Sequence, residues 1–236
     1  MPKLIACLVV FAAAPSLALA DHHSEGEAEA EAPVTIAVEA EHFLRQREVD
    51  KRRWFVTSAD SVPDITPDGD PPHHETASSG AYIEILPDTR RTHDDKLVKY
   101  ENISAEPGRM TIVDYEVAFP APGRYYVWVR AFSTGSEDNG IHVGLNGEWP
   151  SSGERMQWCK GKQKWYWESK QRTKKQHCGV EHAIYLDVPS RGRHMVSFSM
   201  REDGFEFDKF LLTTDREFKR PKGPGPKAQP GRIASR

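Results

Sequence analysis

One segment of the chain combines tryptophans with basic side chains, a composition suited to binding sugars or polyanions. It runs from Met156 to Gly179 and holds three of the chain's six tryptophans, Trp158, Trp165 and Trp167. Flat aromatic rings stack on the C–H face of a sugar ring, while nearby polar groups hold its hydroxyl groups. The surrounding lysines and arginines would add affinity for carboxylates or sulfate esters. The segment therefore indicates a glycan site, and an acidic glycan in particular.

The same residues allow two other interpretations. The tryptophans could cap the hydrophobic core, with the lysines forming a solvated rim around them. Aromatic rings interleaved with basic residues also suit single-stranded nucleic acid. The net charge of −3 offers no overall field for a nucleic acid. We therefore expect no nucleic-acid partner.

Two cysteines, Cys159 and Cys178, lie near the two ends of this segment. Residues 1–20 are typical of a secretory signal peptide, so the chain is expected to be exported. In an exported chain two cysteines most simply form one disulfide bond, and two free buried thiols are the alternative. Closing a loop of about 20 residues would contribute on the order of 3 kcal/mol to stability in the chain-entropy model. We expect a disulfide that pins the tryptophan-rich segment.

Acidic residues at alternate positions suggest a metal site. Glu39 and Glu41 follow the first predicted strand, and Asp208 lies in the last. Side chains at i and i+2 of a strand point the same way, and two such oxygens plus a third suit a hard cation such as calcium. Ordinary exposed acids would have the same spacing. The fragment Asp64–Asp70 lacks the spacing of an EF-hand loop, so we interpret it as a turn.

Catalysis is the alternative function. Arg90, Arg91, His93 and Asp94 form a charged cluster that a polysaccharide lyase or glycoside hydrolase could use. The chain has no nucleophile elbow, HExxH motif or phosphate loop. A turn or a solvated rim explains the cluster equally simply, so we assign no catalytic residue.

Three segments together resemble carbohydrate-binding modules of families six and thirty-five, in the galactose-binding-like superfamily. They are Val38–Phe43 (VEAEHF), Pro122–Ala131 (PGRYYVWVRA) and Arg201–Phe210 (REDGFEFDKF), and they occur in the family's order. The resemblance implies a galactose-binding-like jelly roll, a structural calcium and a glycan site formed by loops at one end.

The resemblance also assigns roles by position. Glu39, Glu41 and Asp208 match the residues that hold the structural calcium. Glu206 stands where the family has a ligand-binding asparagine, so the ligand need not be xylan or cellulose. Together with the loop residues expected to bind sugar hydroxyls, the predicted carbohydrate-binding set is Tyr82, Asp138, Asn139, Trp158, Trp165, Trp167 and Glu206.

Stretches with period-two alternation must position these groups. Residues 111–119 place Val113, Tyr115, Val117 and Phe119 on one face, and residues 124–132 alternate in the same way. Turns rich in Gly, Pro and Asn separate the stretches, and residues 40–47 are the only candidate helix longer than a turn or two. The pattern predicts an all-β chain that folds as an antiparallel β-sandwich with long loops.

The rest of the chain divides into flanking segments. Residues 1–20 are typical of a secretory signal peptide, 21–33 of an acidic disordered spacer, and 216–236 of an extended basic, Pro-rich tail, which leaves 34–215 for the sandwich. No internal stretch reaches the ~18–20 apolar residues of a membrane span.

The sequence therefore predicts a secreted or periplasmic protein without catalysis of its own. It would bind a polysaccharide or oligosaccharide, contain a structural calcium and associate with a glycan-degrading enzyme. A cell-surface protein-interaction module on the same fold is the remaining alternative.

Overall fold

The computed structural model of the chain describes Met1 and residues 32–229. By contacts the chain divides into two units, Met1–Ala32 and Pro33–Arg236, and the fold below is that of the second. The predicted signal peptide and nearly all of the predicted acidic spacer, residues 2–31, lie outside the described residues. No helix in the described part is long and apolar enough to cross a membrane.

The described residues form two antiparallel sheets, as the sequence predicted. Their helical residues are three single-turn 3₁₀ helices, Ala40–His42, His74–Thr76 and Ser151–Gly153. The candidate helix at 40–47 is thus one such turn followed by a strand. The strands are β1 (Thr35–Glu39), β2 (Arg45–Arg47), β3 (Arg53–Ser58), β4 (Ala81–Leu86), β5 (Ile112–Phe119), β6 (Gly123–Phe132), β7 (Gly140–Leu145), β8 (Met156–Gln157), β9 (Tyr166–Glu168), β10 (Tyr185–Val188), β11 (Gly192–Met200) and β12 (Glu206–Thr213).

Sheet A has seven strands and sheet B has five. Sheet A runs β10-β6-β12-β4-β3, with β1 also pairing with β12 and β9 also pairing with β6. Sheet B runs β2-β5-β11-β7-β8. The first and last strands of the sandwich are thus neighbours, because Thr35 of β1 lies opposite Thr213 of β12.

The core lies between the sheets and confirms the predicted alternation. Val113, Tyr115, Val117 and Phe119 of β5 all face it and are at most 3% exposed. Aromatic rings from both sheets meet there, with ring centroids 4.8 Å apart for Phe198 and Phe207 and 4.9 Å apart for Tyr115 and Phe210. Each buried ring removes about 150–250 Å² from water, so these contacts hold the two sheets together.

A second apolar cluster covers the outer face of sheet A. Trp128 of β6 and Leu211 of β12 pack there against Trp167 of β9 and Phe218. The indole Nε1 of Trp167 donates to the carbonyl of Gly223 at 3.0 Å. The folded unit therefore continues past residue 215, because part of the predicted extended tail, residues 216–229, packs on sheet A.

His142 of β7 is fully buried and is held in one tautomer. Its Nδ1 accepts the backbone N–H of Arg155 at 3.0 Å, so Nε2 carries the proton and donates to the carbonyl of Ser104 at 3.1 Å. Burial, with smaller contributions from the charges of Arg201 and Arg155, lowers the pKa of His142 from 6.5 to about 3. The ring is therefore neutral in the folded protein and charged in the unfolded chain at mildly acidic pH.

This pKa difference predicts an acid-sensitive contribution to stability. The unfolded chain binds the extra proton below about pH 6.5, so the stabilisation is present above that pH and is lost as the pH falls toward 3. We expect His142→Gln to be less stable than the wild type at pH 7.5, with a smaller difference at pH 5, in urea unfolding. The exposed His177→Gln variant is the control, and a difference for His142→Gln that does not change with pH would contradict the prediction.

Candidate functional site

The predicted disulfide is present and brackets the tryptophan-rich segment. Cys159 and Cys178 are bonded across 19 residues of sequence, with their Cα atoms 5.4 Å apart. Within the bracketed segment, β9 pairs with β6 of sheet A, and Gln171 bridges to Met156 and Val180. The segment is therefore part of the sandwich and not a loop projecting from it.

Two of the three predicted stacking tryptophans are inaccessible. Trp158 is 0% exposed in the main core, and Trp167 is 2% exposed under residues 216–229. The Trp158 Nε1 donates to the Tyr166 carbonyl at 2.9 Å, so its polar edge is satisfied inside the protein. The prediction that these two rings stack on a sugar is wrong, because burial leaves neither face free.

Trp165 is the partly exposed member of the three. Together with Trp167 it lies on the outer side of sheet A. Its ring contacts Tyr82 and Phe132 edge-on at centroid distances of 5.3 and 5.6 Å, and Arg130 lies 5.5 Å from its centroid. Its Nε1 donates to the His73 carbonyl at 3.3 Å. Trp165 therefore has little free edge for a ligand.

The other predicted sugar contacts are also buried. Tyr82 is 1% exposed, Asp138 5%, Asn139 3% and Glu206 2%. Asp138 accepts hydrogen bonds from Ser133, Thr134 and Gly135, which organises its own loop. Glu206 binds His73 Nδ1 at 2.9 Å, and Asn139 binds Gln157. Direct hydrogen bonds from these groups to a sugar are not available in this structure.

The predicted calcium ligands are each engaged by protein groups. Glu39 pairs with Lys209 Nζ at 2.9 Å, and Asp208 pairs with Arg130 Nη1 at 2.5 Å. Glu41 keeps one buried oxygen, Oε2, without a partner. Burial, with smaller contributions from Glu39 and Asp208, raises the pKa of Glu41 to about 7.

Two other groups of side chains have the spacing of metal ligands. Asp68, Asp70 and Glu84 form one, and Asp70, His73 and Glu206 form the other, with the ligand atoms of each group within 4.8 Å of one another. The segment Asp64–Asp70, interpreted as a turn from sequence, supplies the two aspartates. Sequence analysis missed Glu84, which sits in a strand with no acidic neighbour.

The charged cluster considered for catalysis is an ion-paired network. Arg90 and His93 both bind Glu137, and His93 Nε2 also lies 3.2 Å from Ser136 Oγ. The carboxylate of Glu137 is 3% exposed and therefore faces the loop and not the solvent.

A groove on the outer face of sheet B has a sugar-binding composition. It encloses about 670 Å³ and is lined by Trp149, Arg45, Arg47 and Asn146, among others. Trp149 is partly exposed. The groove therefore offers an aromatic ring and two guanidinium groups.

Two glycines make room for the Trp149 indole on the sheet. A Cβ on Gly144 of β7 would lie 2.8 Å from Trp149 Cε3, and one on Gly108 would also meet the indole. A side chain at either position would therefore displace the ring. The close approach of a glycine backbone holds the indole against the sheet surface.

The basic groups of the groove are positioned by short contacts. Arg45 Nε donates to Asp114 Oδ2 at 2.8 Å, and Arg47 Nη2 donates to the Gly108 carbonyl at 2.6 Å. Asp114 in turn accepts from Ser197 Oγ of β11 at 2.6 Å. Each guanidinium keeps further N–H donors for an anionic ligand.

A second, basic pocket of about 450 Å³ begins two residues beyond Trp149. Arg155, Arg172, Lys174 and Tyr185 contribute to its lining. Arg155 adopts a positive φ of 58°, and its Nε is buried without a partner. Burial and the neighbouring Arg172 lower the pKa of Arg155, so two like charges face one pocket. An anion in this pocket would relieve that repulsion.

Sequence comparison finds one relative among curated proteins. No family model matches the chain. Over 183 residues the chain is 62% identical to the uncharacterized protein P23 of Formosa agariphila, a match that covers 78% of this chain and 44% of that protein. The chain therefore spans less than half the length of the curated relative it matches.

Solved carbohydrate-binding modules are among the structures to which the chain is similar. The family 35 module of Paenibacillus barcinonensis is 14% identical with a TM-score of 0.41, covering 76% of this chain and 98% of the module. The C-terminal family 6 module of the laminarinase LamC from Zobellia galactanivorans is 15% identical with a TM-score of 0.38, covering 77% and 100%.

An exo-β-1,3-galactanase from Phanerochaete chrysosporium is 12% identical with a TM-score of 0.36, covering 76% of this chain and 29% of the enzyme. The two modules come from the families that the sequence motifs resemble. Because every one of these TM-scores is below 0.5, the fold rests on the two sheets themselves.

Burial predicts different roles for two tryptophans of the tryptophan-rich segment Met156–Gly179. We expect Trp158→Ala to lower the free energy of unfolding by about 3–5 kcal/mol, because it empties a fully buried site. Trp165→Ala should cost clearly less, since that ring is partly exposed. Urea unfolding measures both, and equal losses would contradict the assignment of Trp158 to the core.

Proposed function

We propose that the protein is a secreted, non-catalytic carbohydrate-binding protein that holds a polysaccharide in the groove on sheet B. The observation that carries the proposal is the Trp149 indole, which packs on Gly144 and Gly108 beside two arginines. A pyranose ring stacked on this indole would place its hydroxyl groups near Asn146 and the guanidinium groups. Binding on a regular sheet suits a chain-like ligand because the surface is long and rigid.

An acidic or sulfated polysaccharide fits this surface best. Arg45 and Arg47 line the groove, and Arg155 and Arg172 line the separate basic pocket. Guanidinium groups bind carboxylates and sulfate esters through two parallel hydrogen bonds. The buried, unpartnered Nε of Arg155 supports the presence of an anion there. Association with a glycan-degrading enzyme remains part of the proposal.

A glycan array with neutral, uronic and sulfated polysaccharides tests this function. We expect the wild type to bind acidic members, and Trp149→Ala to weaken binding on the order of tenfold through loss of stacking. Gly144→Ala should weaken it similarly, because the new methyl group displaces the indole. The paired Arg45→Ala and Arg47→Ala variant should lose the preference for acidic members.

Matched controls separate this groove from other surfaces. Arg193 is an exposed β11 arginine that pairs with Glu116 at 2.7 Å, so Arg193→Ala removes a comparable charge elsewhere on sheet B. Binding that survives Trp149→Ala but is lost in Trp165→Ala would overturn the groove assignment. New reducing ends or unsaturated uronate products from the same polysaccharides would favour the catalytic alternative.

We also propose that Glu39, Glu41 and Asp208 hold a calcium ion. The buried, unpartnered Glu41 Oε2 supports this, because a carboxylate oxygen without a donor suits a hard cation. Lys209 and Arg130 already bind the other two acids, so Glu41 carries most of the argument.

Calcium binding to these acids predicts a stability effect. A ligand present at 100 times its Kd stabilises the folded state by about 2.7 kcal/mol, so chelation should lower the melting temperature. Glu41→Gln should reduce the calcium-dependent part of that shift. A melting temperature that is insensitive to both chelator and added calcium would refute the proposal.

A further inference from the structure

Two buried carboxylates lie side by side on the outer face of sheet A. Glu84 of β4 is opposite Glu206 of β12 in the strand register, and they are 3% and 2% exposed. Like charges directly opposite each other in a sheet are destabilising, and burial adds the cost of desolvation. The sheet therefore contains an uncompensated pair of acids, which other groups must neutralise.

The segment 59–80 adds two more acids to this place. Asp68 and Asp70 bring carboxylate oxygens within 4.8 Å of Glu84 and of each other. A segment that merely covered the sheet would place neutral or basic groups over buried acids. This segment instead concentrates negative charge on them.

The two strand acids differ in their partners. Glu206 is bound by His73 Nδ1 at 2.9 Å and by the Tyr82 hydroxyl. Among the described residues no donor lies within hydrogen-bond distance of the Glu84 carboxylate, although its oxygen points into the group formed with Asp68 and Asp70. A buried carboxylate that receives no donor from the described protein needs water or a bound ion as its partner.

Basic side chains do not balance the cluster. Within the described chain, no lysine or arginine forms an ion pair with Asp68, Asp70, Glu84 or Glu206, and the single basic contact is His73 with Glu206. Burial, followed by the charges of Glu206, Asp68 and Asp70, raises the pKa of Glu84 well above its usual range.

We propose that Asp68, Asp70 and Glu84 bind a divalent cation that fastens segment 59–80 to the outer face of sheet A. The site is distinct from Glu39, Glu41 and Asp208, and it does not depend on the proposed sugar-binding function. Its ligands come from one strand and one connecting segment, so the cation cross-links these two elements.

The ligand set selects the class of cation. All three side chains offer carboxylate oxygens, which are hard ligands that favour calcium or magnesium over softer metals. Calcium accepts irregular geometry and either one or both oxygens of a carboxylate, whereas magnesium demands a near-ideal octahedron. A site assembled from two positions of an irregular segment and one strand residue therefore fits calcium better.

Occupation of the site would order more than the acids. His73, three residues beyond Asp70, stacks on Phe132 at a centroid distance of 3.6 Å, and its carbonyl accepts from Trp165 Nε1. Fixing Asp70 therefore restrains the contact between segment 59–80 and the disulfide-bracketed segment.

Calorimetric titration of calcium into the full-length protein, after treatment with chelator, tests the site. We expect Glu84→Gln and Asp70→Asn each to weaken calcium binding at this site by tenfold or more, because each removes one charged ligand. Both variants keep nearly the wild-type side-chain shape and remove a repulsive charge. They should therefore remain folded in chelator, as judged by circular dichroism and thermal unfolding.

Two control variants locate the binding. Asp187→Asn removes an exposed carboxylate of β10 that pairs with Arg124 and should leave calcium binding unchanged. Glu41→Gln should not affect calcium binding at the site of Asp68, Asp70 and Glu84, which Glu84→Gln should weaken. The proposal is overturned if the wild type binds no calcium, or if Glu84→Gln and Asp70→Asn bind it like the wild type. The proposal is also overturned if only Glu41→Gln loses calcium binding, because the cation would then lie at Glu39, Glu41 and Asp208.

Discussion

Sheet A must be covered on both faces, and this constraint organises the rest of the molecule. The inner residues of β6, such as Val127 and Val129, pack in the core, while the outer residue Trp128 is only 4% exposed. Most antiparallel sheets leave one face to water and show polar side chains there. Here the outer face is apolar at one end and acidic at the other, so different segments must cover each end.

Some side chains that the sequence suggests for function are instead engaged in covering sheet A. Trp167 and Phe218 cover the apolar end, and segment 59–80 covers the acidic end. Within residues 32–229, no such cover lies over the groove of sheet B, where Trp149 and the arginines remain accessible. Sheet A therefore holds the irregular segments in place, and sheet B presents an open surface.

The sequence predicts the sandwich well because its signal is local. Alternation along β5 and β6 identifies which residues face the core, and two cysteines in a chain predicted to be exported suffice to predict their bond. The burial of Trp158 and Trp167 could not be predicted from local sequence patterns. Their neighbours in sequence are lysines, and the residues that bury them come from distant strands and from beyond residue 215.

The same reason explains the missed sites. Trp149 follows an ordinary turn, and its position depends on the absence of side chains at Gly108 and Gly144, which are remote in sequence or belong to another element. Asp68 and Asp70 gain significance only beside Glu84, and that proximity is set by the path of segment 59–80. A single sequence gives the residue types, but it does not show which residues distant in sequence lie together in one charged cluster or line one cavity.

The packing of residues 216–229 affects how the protein can be divided. A chain ended after Asp215 would keep all twelve strands, yet it would expose Trp128, Leu211 and Trp167 to water at once. A contiguous apolar surface of that kind promotes self-association of soluble domains. The boundary of this domain is therefore set by a segment without regular secondary structure. A fusion or truncation designed from the strands alone would yield a protein prone to self-association.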